Sequence, residues 1–429
     1  MPTLVIVGAQ WGDEAKGKLV DVLGGQADMV VRYSGGNNAG HTVIVGDREF
    51  KFHLIPAGIL HPNVTAVLGG GMVVSPEGLL EEYDRTKASH PELGTLKVSS
   101  AAQVVFPYHR LLDALEEASK GAGKIGTTSR GIGPAYQDKM ARIGIRMGEF
   151  VNPEVFKDRL REVLRFKNGM LKLFGGEEMS FDELYSEYSA HADRLRPFVC
   201  DTDVLVQDAV YGGKRVMFEG AQGAMLDLDG GTYPFVTSSH PIAGGACLGT
   251  GIGPRMIDSV LGVCKTYTTR VGAGPFPTEL LDDTGEWIRK HGKEYGTTTG
   301  RGRRCGWMDL VVLKHTSRMN SLSGLVVTRL DILSGFETVK AAVAYDLEGS
   351  RIEHVPADTF TFAKVKPIYE DLPGWKGDVR LARRLEDLPA TARAYLDFMA
   401  EKTGVPVAIV SVGPDRAETI VVRPDLIWG

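Results

Sequence analysis

Residues 3–19 read Thr3-Leu-Val-Ile-Val-Gly-Ala-Gln-Trp-Gly-Asp-Glu-Ala-Lys-Gly-Lys-Leu19, and this stretch decides the fold. A β-branched apolar run stops abruptly at Gly8, and a Gly-x-x-x-x-Gly-Lys spacing follows from Gly12 to Lys18. Strand, glycine loop and helix in that order form a phosphate cradle, in which backbone N–H groups and a lysine surround an anion at the helix N-terminus. The Ser or Thr that normally follows the lysine and binds magnesium is Leu19 here. A metal would need its protein oxygen from elsewhere, and Asp13, inside the loop, is the nearest candidate. Asp13 also suits the blander role of helix N-cap ahead of Glu14 to Lys18.

Beyond the loop, Lys16 to Leu23 fits a short helix and Met29 to Arg32 a second buried strand. Residues 65–68, 96–99, 216–218, 324–328 and 406–410 fit further strands, and 76–88 and 107–120 are helix-patterned. Residues 153–212 are charged and helix-patterned, as a helical insertion would be. Strands alternating with helices predict an α/β fold: a large, mostly parallel central sheet with flanking helices and ligands gathered at the strands' carboxyl ends. No repeat and no linker rich in Pro, Gly or Ser divides the chain, so 1–429 is read as one domain with one composite site.

The 429 residues are 43% hydrophobic and 24% charged, a composition that suits a globular protein with a sizeable core. No apolar run approaches the ~20 residues of a membrane span. The start runs directly into a strand without a basic region, so no signal peptide is expected. Four widely spaced cysteines without a CxxC pair read as reduced thiols of a cytoplasmic protein. A net charge of −5 gives no support for nucleic-acid binding.

The 53 glycines cluster in loops that also carry Asn, Thr, Gln and Arg. Any one of these loops passes for an ordinary turn, but six after strand ends are harder to dismiss. His41 lies between Gly40 and Thr42, in a loop and not on an apolar face. Thr328-Arg-Leu-Asp331 follows an apolar strand and is similar to the Asn/Thr-Lys-x-Asp element of GTP-binding proteins. There the aspartate accepts from guanine N1–H and the 2-amino group, a pairing adenine lacks. Arg301, Arg303 and Arg304 sit in a Thr/Gly loop whose guanidinium forks suit carboxylates and phosphates.

Taken together, seven segments resemble the adenylosuccinate synthetase family. Four are Trp11-Gly-Asp-Glu-Ala-Lys-Gly-Lys18, Gly36-Asn-Asn-Ala-Gly-His-Thr42, Gly126-Thr-Thr-Ser-Arg-Gly-Ile-Gly-Pro134 and Phe218-Glu-Gly-Ala-Gln-Gly223. The others are Val271-Gly-Ala-Gly-Pro-Phe-Pro-Thr-Glu279, Thr297 to Arg304, and Ser411-Val-Gly-Pro-Asp-Arg416. The resemblance implies a GTP-dependent ligase, generally a cytoplasmic homodimer using Mg²⁺, that joins IMP and L-aspartate through a 6-phosphoryl-IMP intermediate. By the same resemblance, Asp13 removes the N1 proton of IMP and ligates magnesium with the Gly40 carbonyl. His41 assists departure of GDP, and Lys16 with Gln222 supports the transition state. GTP is expected on Gly12 to Lys18 (including Glu14, Ala15 and Gly17), on Gly40 to Thr42, and on Arg303. Its base falls to Arg329, Leu330 and Asp331, with Ser411, Val412 and Gly413. IMP is expected on Asp13 to Lys16, Asn38 to His41 (Ala39 included), Thr128, Gln222, Thr237 and Arg301. An Arg142 reaching across the dimer interface completes that site. Aspartate falls to Thr297, Thr298, Thr299, Gly300, Arg301, Gly302 and Arg303.

Four positions depart from the family pattern. Ala15 and Ser129 replace glycines, Gly302 interrupts an arginine run, and Arg329 replaces a lysine. A related phage branch uses dGMP and lacks the catalytic aspartate, so Asp13 argues for IMP. Two competing readings are a GTP-controlled switch protein and a nucleotide kinase. The first would leave His41, Thr128, Gln222 and the 297–304 loop without work, and the second needs no amino-acid site.

Overall fold

The strand Thr3–Gly8 is buried along its whole length. Leu4 and Ile6 enter one apolar core while Val5 and Val7 enter another. That two-residue alternation, with both faces covered, is why the strand reads as a continuous apolar run. The computed structural model describes residues 2–46, 48–121, 124–296 and 300–429.

A ten-stranded sheet surrounds this strand. From one edge its order is Thr419–Val421, Val407–Ser411, Gly324–Thr328, Ser259–Lys265, Thr3–Gly8, Val216–Glu219, Met29–Arg32, Thr65–Leu68, Thr95–Ser99 and Val199–Cys200. Every neighbouring pair is parallel except Val407–Ser411 with Thr419–Val421. That antiparallel return keeps residues 412–418 at the same end of the sheet as the loops after Gly8, Arg32, Glu219, Lys265 and Thr328. Ligand-binding loops are expected at that end of a parallel sheet.

The helices come close to their sequence-based bounds: Lys16–Gly24, Pro76–Ser89 and Pro107–Ser119. Residues 153–212 contain three helices, Pro153–Leu173, Phe181–Leu195 and Thr202–Tyr211. Between the last two, a turn at Arg196–Phe198 leads into Val199–Cys200, which joins the sheet edge beside Val98 and Ser99. Pro197 cannot donate to a continuing helix, so the helical pattern stops there. The first two helices contribute Leu160, Leu164, Leu184 and Tyr188 to the same core as Leu4 and Ile6. The strand Ser259–Lys265 is not apparent from the sequence. Gly262 interrupts its apolar pattern because a Cβ there would lie 2.3 Å from Leu322 Cδ1. A hairpin, His41–Val45 with Arg48–Phe52, follows the Gly/Asn-rich loop, so His41 opens a strand instead of lying in mid-loop.

Candidate active site

The loop after Thr3–Gly8 is held in shape by its own glutamate. Glu14 is fully buried, and its Oε1 accepts from the backbone N–H of Gly12 at 2.7 Å and of Gln10 at 3.2 Å. Its Oε2 pairs with Lys16 Nζ at 2.6 Å, and its carbonyl accepts from Thr328 Oγ1 at 2.9 Å. Gly12, Asp13 and Ala15 all have left-handed backbone, at φ 89°, 62° and 70°. Ala15, not Asp13, is the N-cap residue of Lys16–Gly24, and no side chain caps that helix. The capping role is therefore not what Asp13 does. Leu19 is buried in the core below, which explains an apolar residue where a metal-binding hydroxyl is usual. The loop also packs backbone to backbone against Gly223, where a Cβ would lie 2.3 Å from the Gly12 nitrogen.

Asp13 meets a chain of charges. Its Oδ2 accepts from Arg303 Nε at 2.7 Å, and Arg303 Nη1 donates to Glu294 Oε2 at 2.6 Å. Lys265 Nζ lies 2.8 Å from both Glu294 oxygens, and the Tyr267 hydroxyl donates to Oε1 at 2.5 Å. Burial alone would push the Glu294 carboxyl up, but the Lys265, Arg303 and Arg329 charges outweigh it and hold it at about 2. Glu294 thus ties the arginine beside Asp13 to the arginine that precedes Asp331.

His41 is 7% exposed, and its Nδ1 lies 2.5 Å from Glu219 Oε1. Burial lowers the imidazole, opposed by its bond to Glu219 and reinforced by the Arg32 and Lys16 charges. Gly17 makes room for the ring, since a Cβ there would lie 2.7 Å from that of His41. Gln222, on left-handed backbone at φ 53°, has both amide atoms buried without a hydrogen-bond partner among the described residues.

Lys18 does not join the loop N–H groups around an anion position, as the spacing suggests. Its ammonium donates to Ser411 Oγ at 2.7 Å, the Gly413 carbonyl at 2.7 Å and the Glu418 carbonyl at 2.9 Å. Burial pushes Lys18 down to about 8 against the pull of Glu418, Asp415 and Asp331. Asp331 sits in the turn Leu330–Leu333 with Oδ1 buried and unpartnered among the described residues. Burial raises its carboxyl, opposed by Arg329.

Asp13, Lys18, His41 and Gln222 converge with Lys265, Glu294, Arg303 and Arg329 on a cleft of about 790 Å³, whereas Asp331 is not among the residues that line it. Gly12, Asp13, Ala15 to Lys18, Asn38 to Thr42, Thr128, Gln222 and Thr237 line it, with Arg301, Arg303, Arg329, Ser411 and Gly413. Glu14 lies beneath it, and Leu330 and Val412 are core residues. Arg142 lies outside it, exposed and left-handed at the C-cap of the helix Ile132–Ala141. Gly300 and Gly302 are exposed beside Arg301, and the predicted aspartate ligands Thr297, Thr298 and Thr299 lie outside the described residues.

A family model described as adenylosuccinate synthetase matches residues 5–420. The chain belongs to the adenylosuccinate synthetase family. It is 54% identical over 422 residues to the adenylosuccinate synthetase of Carboxydothermus hydrogenoformans, covering 98% of this chain and 99% of that one. The Clostridium novyi adenylosuccinate synthetase is 51% identical, with 98% and 99% covered. The structure of fully ligated adenylosuccinate synthetase from Plasmodium falciparum superposes with a TM-score of 0.94 at 37% identity, covering 98% of this chain and 100% of that one. The cyanophage S-2L succinoaminodeoxyadenylate synthetase, bound to dGMP and dATP, shares the fold at TM-score 0.61 and 19% identity, with 99% and 97% covered. Adenylosuccinate synthetases are GTP-dependent C–N ligases of purine biosynthesis that join IMP and L-aspartate.

Three of the four departures from the family pattern share one geometry. Ala15, Ser129 and Arg329 all have positive φ, at 70°, 53° and 65°. The loops keep a backbone that glycine adopts freely and other residues adopt at a cost of roughly 1–3 kcal/mol each. The residues that sequence reasoning left without a role are Glu219, Glu294, Lys265 and Arg32. Their one visible signal is a charged side chain at the end of an apolar strand, at Arg32, Glu219 and Lys265.

Proposed function

We propose that the chain carries out the family reaction, GTP-dependent ligation of IMP and L-aspartate, in two steps within this cleft. The O6 of IMP is first phosphorylated by GTP, because oxygen at C6 is a poor leaving group until it carries phosphate. Aspartate then displaces that phosphate, giving adenylosuccinate, GDP and phosphate. Asp13 takes the N1 proton of IMP and so makes O6 a nucleophile. His41 donates toward the β–γ bridging oxygen as GDP departs. Lys16 and the amides of residues 12–18 stabilise the charge that develops on the transferring phosphoryl group. Asn38, Thr128, Thr237 and Arg301 hold IMP, the 297–303 loop holds aspartate, and Arg329 to Asp331 with Ser411 to Gly413 hold guanine.

The observation that carries this reading is Gln222. A buried amide without hydrogen bonds is costly, by about 1–3 kcal/mol for each unmade bond. A purine edge at O6 and N1 supplies a partner for it in the cleft that Asp13 and His41 also line.

Magnesium fits the donors present. The Asp13 side chain is 31% exposed in the cleft, which Gly40, with its backbone carbonyl, also lines. Both are hard oxygen donors of the kind Mg²⁺ takes. Among the described residues no group of three or more His, Cys, Asp or Glu gathers, so phosphate oxygens suit the rest of the shell. When bound, the ion neutralises charge on the β- and γ-phosphates.

The reading also takes 1–429 as one domain, supported by the core that residues 153–195 share with the sheet. The enzyme is taken to be cytoplasmic, in keeping with four free cysteines. No helix among the described residues is long and apolar enough to cross a membrane. Its active form is a homodimer in which Arg142 serves the neighbouring subunit's IMP phosphate.

The test follows the ultraviolet change of adenylosuccinate formation with GTP, IMP and aspartate, and then omits each in turn. Product should require all three, and Asp13→Asn should lower turnover by at least about 10²–10⁴-fold. GTP turnover independent of IMP and aspartate, or near-normal turnover in Asp13→Asn, would overturn the reading.

A further inference from the structure

The Phe218-Glu-Gly-Ala-Gln-Gly223 motif contains one charged residue that the reaction above leaves without a task. Glu219 ends the strand Val216–Glu219, is fully buried, and stands level with Arg32 on the adjacent strand. A buried carboxylate is tolerable only where its oxygens are bonded and an opposite charge is near. Glu219 meets both conditions. Oε2 accepts from the Ala57 N–H at 3.0 Å, Oε1 meets His41 Nδ1 at 2.5 Å, and the Arg32 guanidinium is the nearby cation.

The surroundings fix where this carboxylate points. Arg32 Nη1 donates to the His53 carbonyl at 2.9 Å, and Glu82 accepts from the N–H groups of His53 and Ile55 at 2.9 and 2.8 Å. Residues 53–57 are therefore gripped at several points before Ala57 meets Glu219. His53 Nδ1 also bonds the Ala39 carbonyl at 2.6 Å, two residues before His41. The ring and its flanking backbone are held by one connected set of buried and half-buried groups.

A carboxylate oxygen only accepts, so Nδ1 donates in the shared bond, and a donor at Nε2 requires a second proton on the ring, which the adjacent carboxylate charge favours. No described residue bonds Nε2, which leaves that nitrogen for the cleft that His41 lines. We propose that Glu219 is the positioning residue for His41, clamping Nδ1 so that Nε2 faces the departing GDP oxygen. The inference rests on the role given to His41 above.

Glu219→Gln keeps the shape but offers one acceptor where two are needed. If its oxygen faces His41, its NH₂ meets the Ala57 N–H. If its oxygen faces Ala57, its NH₂ meets Nδ1, which must then accept, so the ring can no longer carry a proton on both nitrogens and is left a far weaker acid at Nε2. The proposal expects kcat to fall by about 10–100-fold, the scale seen for groups that orient a histidine, with KM for IMP and aspartate changed by less than about threefold. Scrambling of an oxygen label between the β–γ bridge and the β non-bridging positions of GTP, measured with IMP and no aspartate, should fall in parallel. Glu219→Asp, which keeps two acceptors, should recover part of the loss.

The deciding comparison is the double variant. In a His41→Asn background, Glu219→Gln should cost less than about twofold. The same loss in both backgrounds would show that Glu219 acts independently of His41 and would overturn the proposal, as would an unchanged kcat in Glu219→Gln. If Glu219→Gln does not fold, Glu219→Asp is compared in the same two backgrounds and read the same way. Near-normal turnover in His41→Asn alone would instead overturn the reading of His41, whatever Glu219 does.

Discussion

One oxygen of Asp331 is buried without a partner, and a guanine edge brings the two donors that such a carboxylate lacks. Adenine presents an unprotonated N1 and no amine at C2, so the acceptors would stay unpaired at about 1–3 kcal/mol each. Asp331→Asn replaces an acceptor with a donor that suits the C2 carbonyl of xanthine. Its kcat/KM for GTP should fall by about tenfold to a hundredfold, with a relative gain for XTP and little change toward IMP or aspartate. An unchanged GTP-to-XTP ratio would mean that Asp331 does not read the base. Lys18 gives a prediction in pH. Burial holds its ammonium at about 8 in the folded chain, against 10.5 for a free lysine, so the proton leaves the folded protein first. Between those values the unfolded chain binds more protons, and this group's contribution to stability rises with pH. Function moves the other way. A neutral amine has two N–H donors for the three acceptors Ser411, Gly413 and Glu418, and the loop assigned to guanine loosens. KM for GTP should therefore rise above pH 8 while KM for IMP stays nearly level, and steady-state kinetics from pH 7 to 9.5 would separate the two. The places of Asp13, Gln222 and Asp331 are legible in the sequence, because they lie in loops whose composition marks them, while His41 opens the strand that follows such a loop. The clamp of Glu14 on its own loop and the pairing of Glu219 with His41 are not legible, since both are contacts set by packing, the second across 178 positions of chain.

Among the elements, the phosphate loop and the loop after Glu219 depend on each other. A methyl group on Gly223 would lie 2.3 Å from the Gly12 nitrogen and 2.5 Å from the Gln10 carbonyl oxygen, and neither backbone atom can swing aside. Gly223→Ala should displace the loop that carries Asp13 and lower kcat on the order of a hundredfold, while overpacking costs about 1–3 kcal/mol of stability. Thermal unfolding beside steady-state kinetics checks both, and wild-type kcat would show that the two loops move independently. Strands with uninterrupted apolar runs, such as Thr3–Gly8 and Gly324–Thr328, can be read directly from the sequence. Ser259–Lys265 cannot, because Gly262 serves the neighbouring Leu322 at the expense of its own pattern. Val199–Cys200 is too short to leave a periodic signal, and its place at the sheet edge is decided by pairing with Val98 and Ser99.

For the whole molecule, the position of Arg142 makes the dimer testable. It is exposed, outside the cleft, at the end of a helix whose Tyr136 hydroxyl donates to the Gly71 carbonyl at 2.7 Å. Arg142→Leu should raise KM for IMP at least about tenfold, the loss expected for one charge-assisted phosphate contact, and leave KM for GTP within about twofold. Mixed with an Asp13→Ala chain, it should regain activity, because one site in each hybrid dimer then has both groups intact. Absence of recovery with hybrids confirmed would count against a shared site. The sheet order carries a different consequence, one for synthesis on the ribosome. The first strand is flanked by strands that begin at Val216 and Ser259, so neither neighbour exists when it emerges. At about 5–20 residues per second, residue 216 follows on the order of ten to forty seconds later. Throughout that interval an apolar strand with two open edges stands exposed, and the nascent chain is a natural client for a chaperone that shields such edges.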